Sequence, residues 1–266
     1  MTPSKRTLLR LGAAVAAAGL FGAAHAQSAL DDVMKSGTIK IAVPTDYPPY
    51  GFVGLDLKPQ GLDIAMAQLI AEKLGVKLQT VPVISANRIP YLQTKQVHLV
   101  ISTLGKNPER MKVIDFTHAY SPFFQAVYAP KSMAIKSFAD LGGKTIAVAK
   151  GAMEEQELAK VGPSTMEFKR YEDQAASTAA FVAGQTQVIA TSVSNAGLMM
   201  QKNPQLGAEY KLLIKDSPNF VGVAKGEDAL RAKVNEIILA ARKDGTIDAM
   251  SQKWLGRPAG DLPLSE

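Results

Sequence analysis

The sequence predicts an α/β protein in which two doubly wound lobes are joined by two hinge strands. Three observations support this fold class. Short β-rich runs alternate with amphipathic helices, the alternation starts again after Lys144, and two extended, proline-containing segments lie between the two units. Such alternation is typical of a parallel sheet covered by helices on both faces. Two units of this kind in a chain of 266 residues indicate two lobes.

The first unit follows from its hydrophobic periodicity and from a helix-stopping glycine, Gly75. In chain order we predict strand Thr38–Val43, helix Leu62–Leu74, strand Val76–Val81, helix Ile89–Gln96 and strand Leu99–Ser102.

The second unit repeats this order after the turn Gly142–Thr145. We predict strand Thr145–Ala149, helix Glu154–Lys160, strand Glu167–Tyr171, helix Gln174–Ala183 and strand Gln187–Ala190. The extended segments 120–128 and 215–223 are predicted to connect the lobes, and a final helix, Asp228–Lys243, to return to the first lobe. The expected bounds are 27–122 plus 219–266 for lobe one and 123–218 for lobe two.

The N-terminal residues have the pattern of a cleavable export signal. A basic start that includes Lys5 and Arg6 precedes a short apolar run, and Ala24–Ala26 offers a small-x-small cleavage site. The run is shorter than the roughly 20 apolar residues of a membrane-spanning helix. The sequence therefore predicts a signal peptide over residues 1–26 and a mature protein in the periplasm.

Charge and cysteine content exclude some functions. Without the signal residues Lys5, Arg6 and Arg10, the 30 Lys and Arg fall to 27 against 24 Asp and Glu, a net charge of +3. No basic block with interleaved aromatic residues follows, so nucleic-acid binding is not expected. The absence of cysteine excludes disulfides and a lipid-modified N-terminal cysteine.

No motif for catalysis or a cofactor stands out. Beyond the signal segment the histidines are His98 and His118, and neither lies at metal-ligand spacing from other ligand types. The run Gly142–Thr145 (GGKT) resembles the end of a phosphate-binding loop, but it precedes a strand rather than a helix and is interpreted as a turn. We expect no cofactor and no metal.

The stretch from Ser102 to Phe116, STLGKNPERMKVIDF, contains an unusually placed cation. Asn107 is a good helix cap and Pro108 fits the first helical position. Arg110 then lies in the first turn, where a cation is disfavoured unless an anion is close. That anion is either Glu109 or Asp115 in a surface ion pair, or a ligand carboxylate gripped in bidentate fashion.

The run Thr45–Tyr50, TDYPPY, directly follows the first predicted strand. Ligands of open α/β sheets bind beyond the carboxyl ends of strands. Tyr47 and Tyr50 could therefore form a wall of the cleft and face an ammonium group. The alternative for Tyr50 is packing at the edge of the lobe.

Taken together, these motifs resemble the amino-acid-type periplasmic solute-binding proteins of ABC importers. The resemblance extends in order over nearly the whole mature chain and is most specific in PERMKVIDF and in the closing DGTIDAMSQKWLG. It implies the type II periplasmic binding fold, which closes on a ligand, and a membrane permease as the partner of a monomer. The candidate ligand-binding residues are Tyr47, Tyr50, Asn87, Arg88, Ser102, Thr103, Leu104, Arg110, Met153 and Ser192.

Several positions depart from the family pattern. Ser192 replaces the usual Asp that pairs with the ligand's ammonium, Gly105 replaces a common Thr or Ser, and Ser85 replaces a wall aromatic. Glu154, Glu155 and Asp173 could supply the missing negative charge, although each also suits a solvated helix start. Arg88 is either a second anion clamp or an ordinary helix-surface arginine.

These features favour a protein that binds a small carboxylate, an amino acid or a close analogue, without catalysis. The alternative is a cyclohexadienyl dehydratase-like enzyme on the same fold, which would need a general acid or base in the cleft. Glu154, Glu155 and His118 are the candidates for that role.

Overall fold

The computed structural model describes residues 28–265, so the predicted signal peptide over residues 1–26 lies outside the described part of the chain. Two mixed five-stranded sheets, each flanked by helices, form two lobes. This confirms the predicted α/β class with two lobes. The proposed boundaries at 122/123 and 218/219 remain a prediction.

The first sheet has the strand order β5-β1-β6-β13-β7. Its strands are β1 (Thr38–Val43), β5 (Lys77–Pro82), β6 (Leu99–Val100), β7 (Ile114–Ser121) and β13 (Asn219–Ala224). The helices of this part of the chain are α1 (Ala29–Ser36), α2 (Leu62–Leu74), α3 (Arg88–Gln93), α4 (Pro108–Met111), α8 (Asp228–Lys243) and α9 (Thr246–Leu255).

The second sheet has the strand order β10-β9-β11-β8-β12. Its strands are β8 (Phe124–Pro130), β9 (Thr145–Ala149), β10 (Glu167–Tyr171), β11 (Val188–Ser192) and β12 (Ala208–Asp216). The accompanying helices are α5 (Met153–Val161), α6 (Gln174–Val182) and α7 (Val193–Lys202).

The cores explain why these runs become strands. Along β8, Val127 and Ala129 belong to one buried cluster, whereas Ala126 and Tyr128 belong to another. Successive side chains of a strand point to opposite faces, so this sheet buries both of its faces. The near-continuous apolar runs of its central strands follow from that double burial.

Three expectations about the topology were wrong. The sheets are not purely parallel, because β13 pairs antiparallel with β6 and β7, and β8 pairs antiparallel with β11 and β12. The predicted connecting segments are each two strands, interrupted at 122–123 and at 217–218. Pro122 and Pro218 lack the N–H that would continue a ladder.

The helix Asp228–Lys243 is not the final one, because α9 follows it. Gly245 between them has a φ of 80°, a left-handed conformation that glycine adopts without steric cost. The chain can therefore turn at once and bury Ile247 of the next helix. Helices α1 and α7 were also missed, and so was a small sheet of β2 (Asp46–Tyr47), β3 (Gly51–Val53) and β4 (Pro59–Gln60).

Candidate ligand-binding site

The two lobes meet face to face and are joined by direct hydrogen bonds. The Asp46 carboxylate accepts a bond of 2.8 Å from the backbone N–H of Gln174, the first residue of α6. Asn107 donates a side-chain bond of 3.0 Å to Gln156 of α5. These contacts between residues far apart in sequence define a closed arrangement, and we call the boundary between the lobes the seam.

Arg110 lies in this seam. The predicted cap is confirmed, since the Asn107 side chain accepts from the Arg110 N–H and Pro108 occupies the first turn of α4. The guanidinium is 4% exposed and donates to the carbonyls of Gly105 at 3.0 Å and Gly151 at 3.2 Å. Its Nε is buried without a hydrogen-bond partner.

The surface-pair interpretation of Arg110 is wrong. Glu109 lies 3.7 Å from Lys160, and Asp115 pairs with Lys225 at 2.7 Å. The two carboxylates that could have partnered Arg110 thus serve other cations. Burial, followed by the nearby charge of Arg88, lowers the pKa of Arg110 to about 10.

Arg88 is not a helix-surface residue, which contradicts that alternative. It is 3% exposed, and its Nε and Nη2 donate to the hydroxyls of Ser102 at 3.1 Å and Thr103 at 3.0 Å. Ser102 and Thr103 follow the β6 strand after one residue, Ile101, so the carboxyl end of the strand places both hydroxyls at this guanidinium. Burial lowers the pKa of Arg88.

Asp63, which sequence reasoning missed, holds Thr103, one of the two residues that bind Arg88. Its two oxygens accept from the Thr103 N–H at 2.8 Å and the Tyr120 hydroxyl at 2.7 Å. Thr103 has a φ of 43°, a rare conformation for a β-branched residue. In sequence, Asp63 is indistinguishable from an ordinary acidic residue in the first turn of a helix, and only its full burial distinguishes it.

Tyr47 and Tyr50 are both buried, with ring centroids 5.5 Å apart. The Tyr47 hydroxyl accepts from the Ser192 N–H at 2.9 Å and lies 3.1 Å from the Thr191 hydroxyl, so it contacts the opposite lobe. Tyr50 packs against Phe123 at 5.2 Å between centroids, as its packing alternative expected.

On lobe two, the three candidate carboxylates have different environments. Glu154 is 3% exposed and accepts from the Tyr47 hydroxyl at 3.3 Å, and burial raises its pKa. Glu155 instead pairs with Arg170, and Asp173 caps α6 through the Ala176 N–H. Glu154 is therefore the one of the three that lies buried at the seam.

Ser192 and Met153 are buried at the same boundary. Ser192 caps α7 by accepting from the Asn195 N–H at 3.1 Å. The Met153 sulfur lies 3.6 Å from the Asn107 amide nitrogen across the seam. Asn87 is half-buried in a short 3₁₀ helix, Ser85–Asn87.

A cavity of about 100 Å³ lies within the seam. Its walls are formed by Ser85, Ala86, Arg88, Ile89, Leu104, Arg110, Gly151 and Gln156. Of the predicted site residues, Arg88, Leu104 and Arg110 line it together, and the others surround the seam without lining this cavity. The hydroxyl of Ser85, like Arg110 Nε, is buried there without a hydrogen-bond partner.

Across residues 28–265 no cluster of three or more His, Cys, Asp or Glu side chains is arranged to hold a metal ion. Over the same span, no helix has both the length and the apolar character needed to cross a membrane.

Comparison with known proteins assigns the family. Residues 39–257 match the family described as bacterial extracellular solute-binding proteins, family 3. The chain is 28% identical over 230 residues to the L-cystine-binding protein TcyJ of Escherichia coli K12, covering 85% of this chain and 86% of that protein. It is 30% identical over 205 residues to the ABC transporter glutamine-binding protein GlnH of Bacillus subtilis, covering 74% and 72%.

A solved structure shows the same architecture. An ancestral arginine-binding protein bound to arginine is 31% identical, with a TM-score of 0.78 over 83% of this chain and 99% of that one. With the two closed lobes and the matched family pattern over most of its length, this chain belongs to the bacterial extracellular solute-binding proteins of family 3.

Proposed function

We propose that this chain is the periplasmic substrate-binding component of an ABC importer and captures a small, amino-acid-like carboxylate by closing its lobes. The observation that carries the proposal is Arg110, a buried guanidinium in the seam with an unpartnered Nε. A buried cation without an anion is costly, and a ligand carboxylate at that position offsets this cost.

The amino-acid part of the proposal rests on the relatives, whose names specify cystine, glutamine and arginine. The remaining candidate residues, from Tyr47 to Ser192, surround the same seam and are proposed to shape the site. Glu154 is proposed to face the ligand's ammonium, because it is a buried carboxylate that contacts the same Tyr47 hydroxyl as Ser192 does.

Capture is proposed to be a hinge motion. The ligand docks on lobe one, and lobe two then closes about the two chain crossings at 122–123 and 217–218. Because the ligand binds the closed form more tightly, its binding free energy shifts the population towards closure. A permease that recognises the closed form then receives the ligand. The protein is proposed to act as a monomer after removal of residues 1–26.

The surroundings of two of the three acid–base candidates, His118 and Glu155, favour binding over the dehydratase alternative. His118 Nδ1 accepts from the Ser265 N–H at 2.9 Å and packs against the C-terminal segment rather than the cavity. The Glu155 carboxylate accepts from the Gly151 N–H at 2.7 Å and pairs with Arg170. Measurement of prephenate turnover tests this point, since release of an aromatic product would contradict a purely binding role.

The test of the proposal is isothermal titration calorimetry with the twenty common L-amino acids and L-cystine, on wild type and on Arg110→Met. Loss of one partner of a buried, hydrogen-bonded charge pair costs about 2 kcal/mol or more, which is roughly 30-fold in Kd. We expect Arg110→Met to weaken binding at least that much.

Arg231→Met is the matched control, because Arg231 pairs with Asp228 on helix α8, outside the seam. It should bind like wild type. An unchanged Kd in folded Arg110→Met would remove Arg110 from the site. If none of these probes binds wild type, the proposal of an amino-acid-binding component fails.

A further inference from the structure

Two buried cations share the wall of the seam cavity. Arg88 is 3% exposed and Arg110 is 4% exposed, and both line the cavity of about 100 Å³. Neither guanidinium forms an ion pair with a carboxylate of residues 28–265. Two buried like charges without paired anions repel each other and lose hydration.

The groups that hold the two guanidiniums are neutral. Arg88 is oriented by the hydroxyls of Ser102 and Thr103, and Arg110 by the carbonyls of Gly105 and Gly151. Hydroxyls and carbonyls fix the direction of a guanidinium without cancelling its charge. Both side chains are therefore positioned without a direct ion pair, and the carboxylates of Asp46, Glu154 and Asp63 act on Arg88 only at longer range.

The nearby carboxylates are engaged elsewhere and do not line the cavity. Asp63 serves Thr103 and Tyr120, Asp46 accepts from the Gln174 N–H, and Glu154 accepts from the Tyr47 hydroxyl. The cavity wall thus carries two positive side chains and no acidic one. This charge balance disfavours a cationic ligand such as arginine.

Two further donors on the wall lack acceptors. Arg110 Nε and the Ser85 hydroxyl are buried without partners, and Ser85 is 7% exposed. Buried polar groups are nearly always hydrogen-bonded. An acceptor-rich ligand would satisfy both groups, and carboxylate oxygens are acceptors only.

The size of the cavity limits the ligand. A buried water needs roughly 10–15 Å³ of such space, so about 100 Å³ accommodates roughly seven to ten heavy atoms. A neighbouring hollow of about 420 Å³ shares Ile89, Arg110 and Gln156 with it, and Arg88 is not among the residues that line this hollow. The site therefore suits a short molecule.

From these observations we propose that the ligand carries two carboxylates, one held by Arg110 and the other by Arg88 with the Ser85 hydroxyl. This inference rests on the proposed function and narrows its ligand class to short dicarboxylates, of which acidic amino acids are members. A bidentate guanidinium–carboxylate pair at each end would fix both the orientation and the length of the ligand.

The experiment compares matched acid and amide probes by calorimetry, namely L-glutamate with L-glutamine and L-aspartate with L-asparagine. The members of each pair have nearly the same shape, so the comparison isolates the second carboxylate. We expect at least one acid to bind wild type roughly 100-fold or more tightly than its amide, because an amide leaves a buried guanidinium uncompensated.

Arg88→Met should reduce that acid-to-amide ratio to less than about threefold, whereas the Arg231→Met control should keep it. Ser85→Ala removes one donor without changing charge, and should weaken binding of the acid several-fold and of the amide less, because a charged acceptor forms the stronger hydrogen bond. This second variant keeps the test decisive if Arg88→Met does not fold.

The outcomes separate this inference from the proposed function. Binding of the amides or of L-arginine as tightly as the acids would overturn the dicarboxylate assignment and leave an amino-acid-binding protein. Binding of L-cystine alone would contradict the short length of the ligand, although cystine itself carries two carboxylates. If neither the acids, the amides nor the other amino acids bind, the proposed function itself fails.

Discussion

Asp63 is a fully buried carboxylate at the start of α2, and its oxygens hold both the Thr103 backbone and the Tyr120 hydroxyl. Thr103 in turn accepts a hydrogen bond from Arg88. Asp63 therefore contributes, through Thr103, to the position of a cavity-lining guanidinium, although it does not line the cavity itself. Burial raises the pKa of Asp63 from 3.8 to about 7.

This pKa predicts a specific dependence of stability on pH. Between about pH 4 and pH 7 the folded protein retains on Asp63 a proton that the unfolded chain releases. The free energy of unfolding should therefore decrease as pH rises through this window. Asp63→Asn cannot ionise, so this decrease in the free energy of unfolding, on the order of a few kcal/mol, should be absent in the variant. Urea unfolding at pH 5 and pH 8 measures the difference.

Asp140→Asn is the control for that experiment. Asp140 is an exposed capping residue, and backbone hydrogen bonds from Lys136 and Ser137 lower its pKa. Its contribution to the free energy of unfolding is present above the pKa of the unfolded state and is lost only as pH falls below about 4. Asp140→Asn should therefore match the wild-type slope between pH 5 and pH 8. An equal slope in Asp63→Asn would show that Asp63 does not titrate in this range.

At the scale of elements, the turn between β9 and α5 brings lobe two into contact with lobe one. Gly151 in this turn has a φ of 75°, and a Cβ added there would lie 3.0 Å from the Cα of Ala86. Ala86 belongs to the 3₁₀ helix Ser85–Asn87 of the opposite lobe. The glycine thus permits a close approach of two backbones at the cavity wall.

Gly151→Ala should therefore oppose closure. Overpacking of a tight contact costs about 1–3 kcal/mol, and because it arises only in the closed form it should raise the Kd roughly 5- to 150-fold. Gly143→Ala is the matched control, since Gly143 has a φ of 69° with nothing within 4 Å of an added Cβ. Both variants should lose stability through the left-handed backbone, but only Gly151→Ala should lose affinity in calorimetry. Equal affinity of the two would contradict the contact at the seam.

At the scale of the whole molecule, the lobes are joined by two chain crossings and by the seam. A ligand held between them binds the folded closed form and not the unfolded chain, so it should stabilise both lobes together. At about 100 times its Kd, a ligand adds about 2.7 kcal/mol to the free energy of unfolding.

For a chain of this size, that gain should raise the Tm by roughly 5–10 °C. Differential scanning calorimetry with the tightest-binding amino acid measures the shift. Arg110→Met should shift by no more than about 2–3 °C at the same concentration, and Arg231→Met should shift like wild type. A shift of equal size in all three proteins would indicate binding outside the seam.

The sequence by itself determined the α/β class, the two lobes and most of the regular elements. Helix Leu62–Leu74 with its stop at Gly75, the Asn107 cap and strand Glu167–Tyr171 were predicted to the residue. Periodicity, capping and glycine turns act over a few neighbouring residues, so they can be detected in a single chain. Helices α1 and α7 were missed although local signals were present, since each begins at a capping serine, Ser28 or Ser192, and α1 ends at Gly37.

Only the tertiary structure decided which polar side chains share the seam. Arg110 meets Gly151 across 41 positions and Ser192 meets Tyr47 across 145, separations over which no local pattern carries information. The burial of Arg88, Asp63 and Glu154 follows from the packing of distant strands and loops, and in sequence each resembles a solvated residue at a helix start. Long-range packing therefore created the charge pattern of the cavity, because burial and neighbouring charges exist only after the lobes fold and meet.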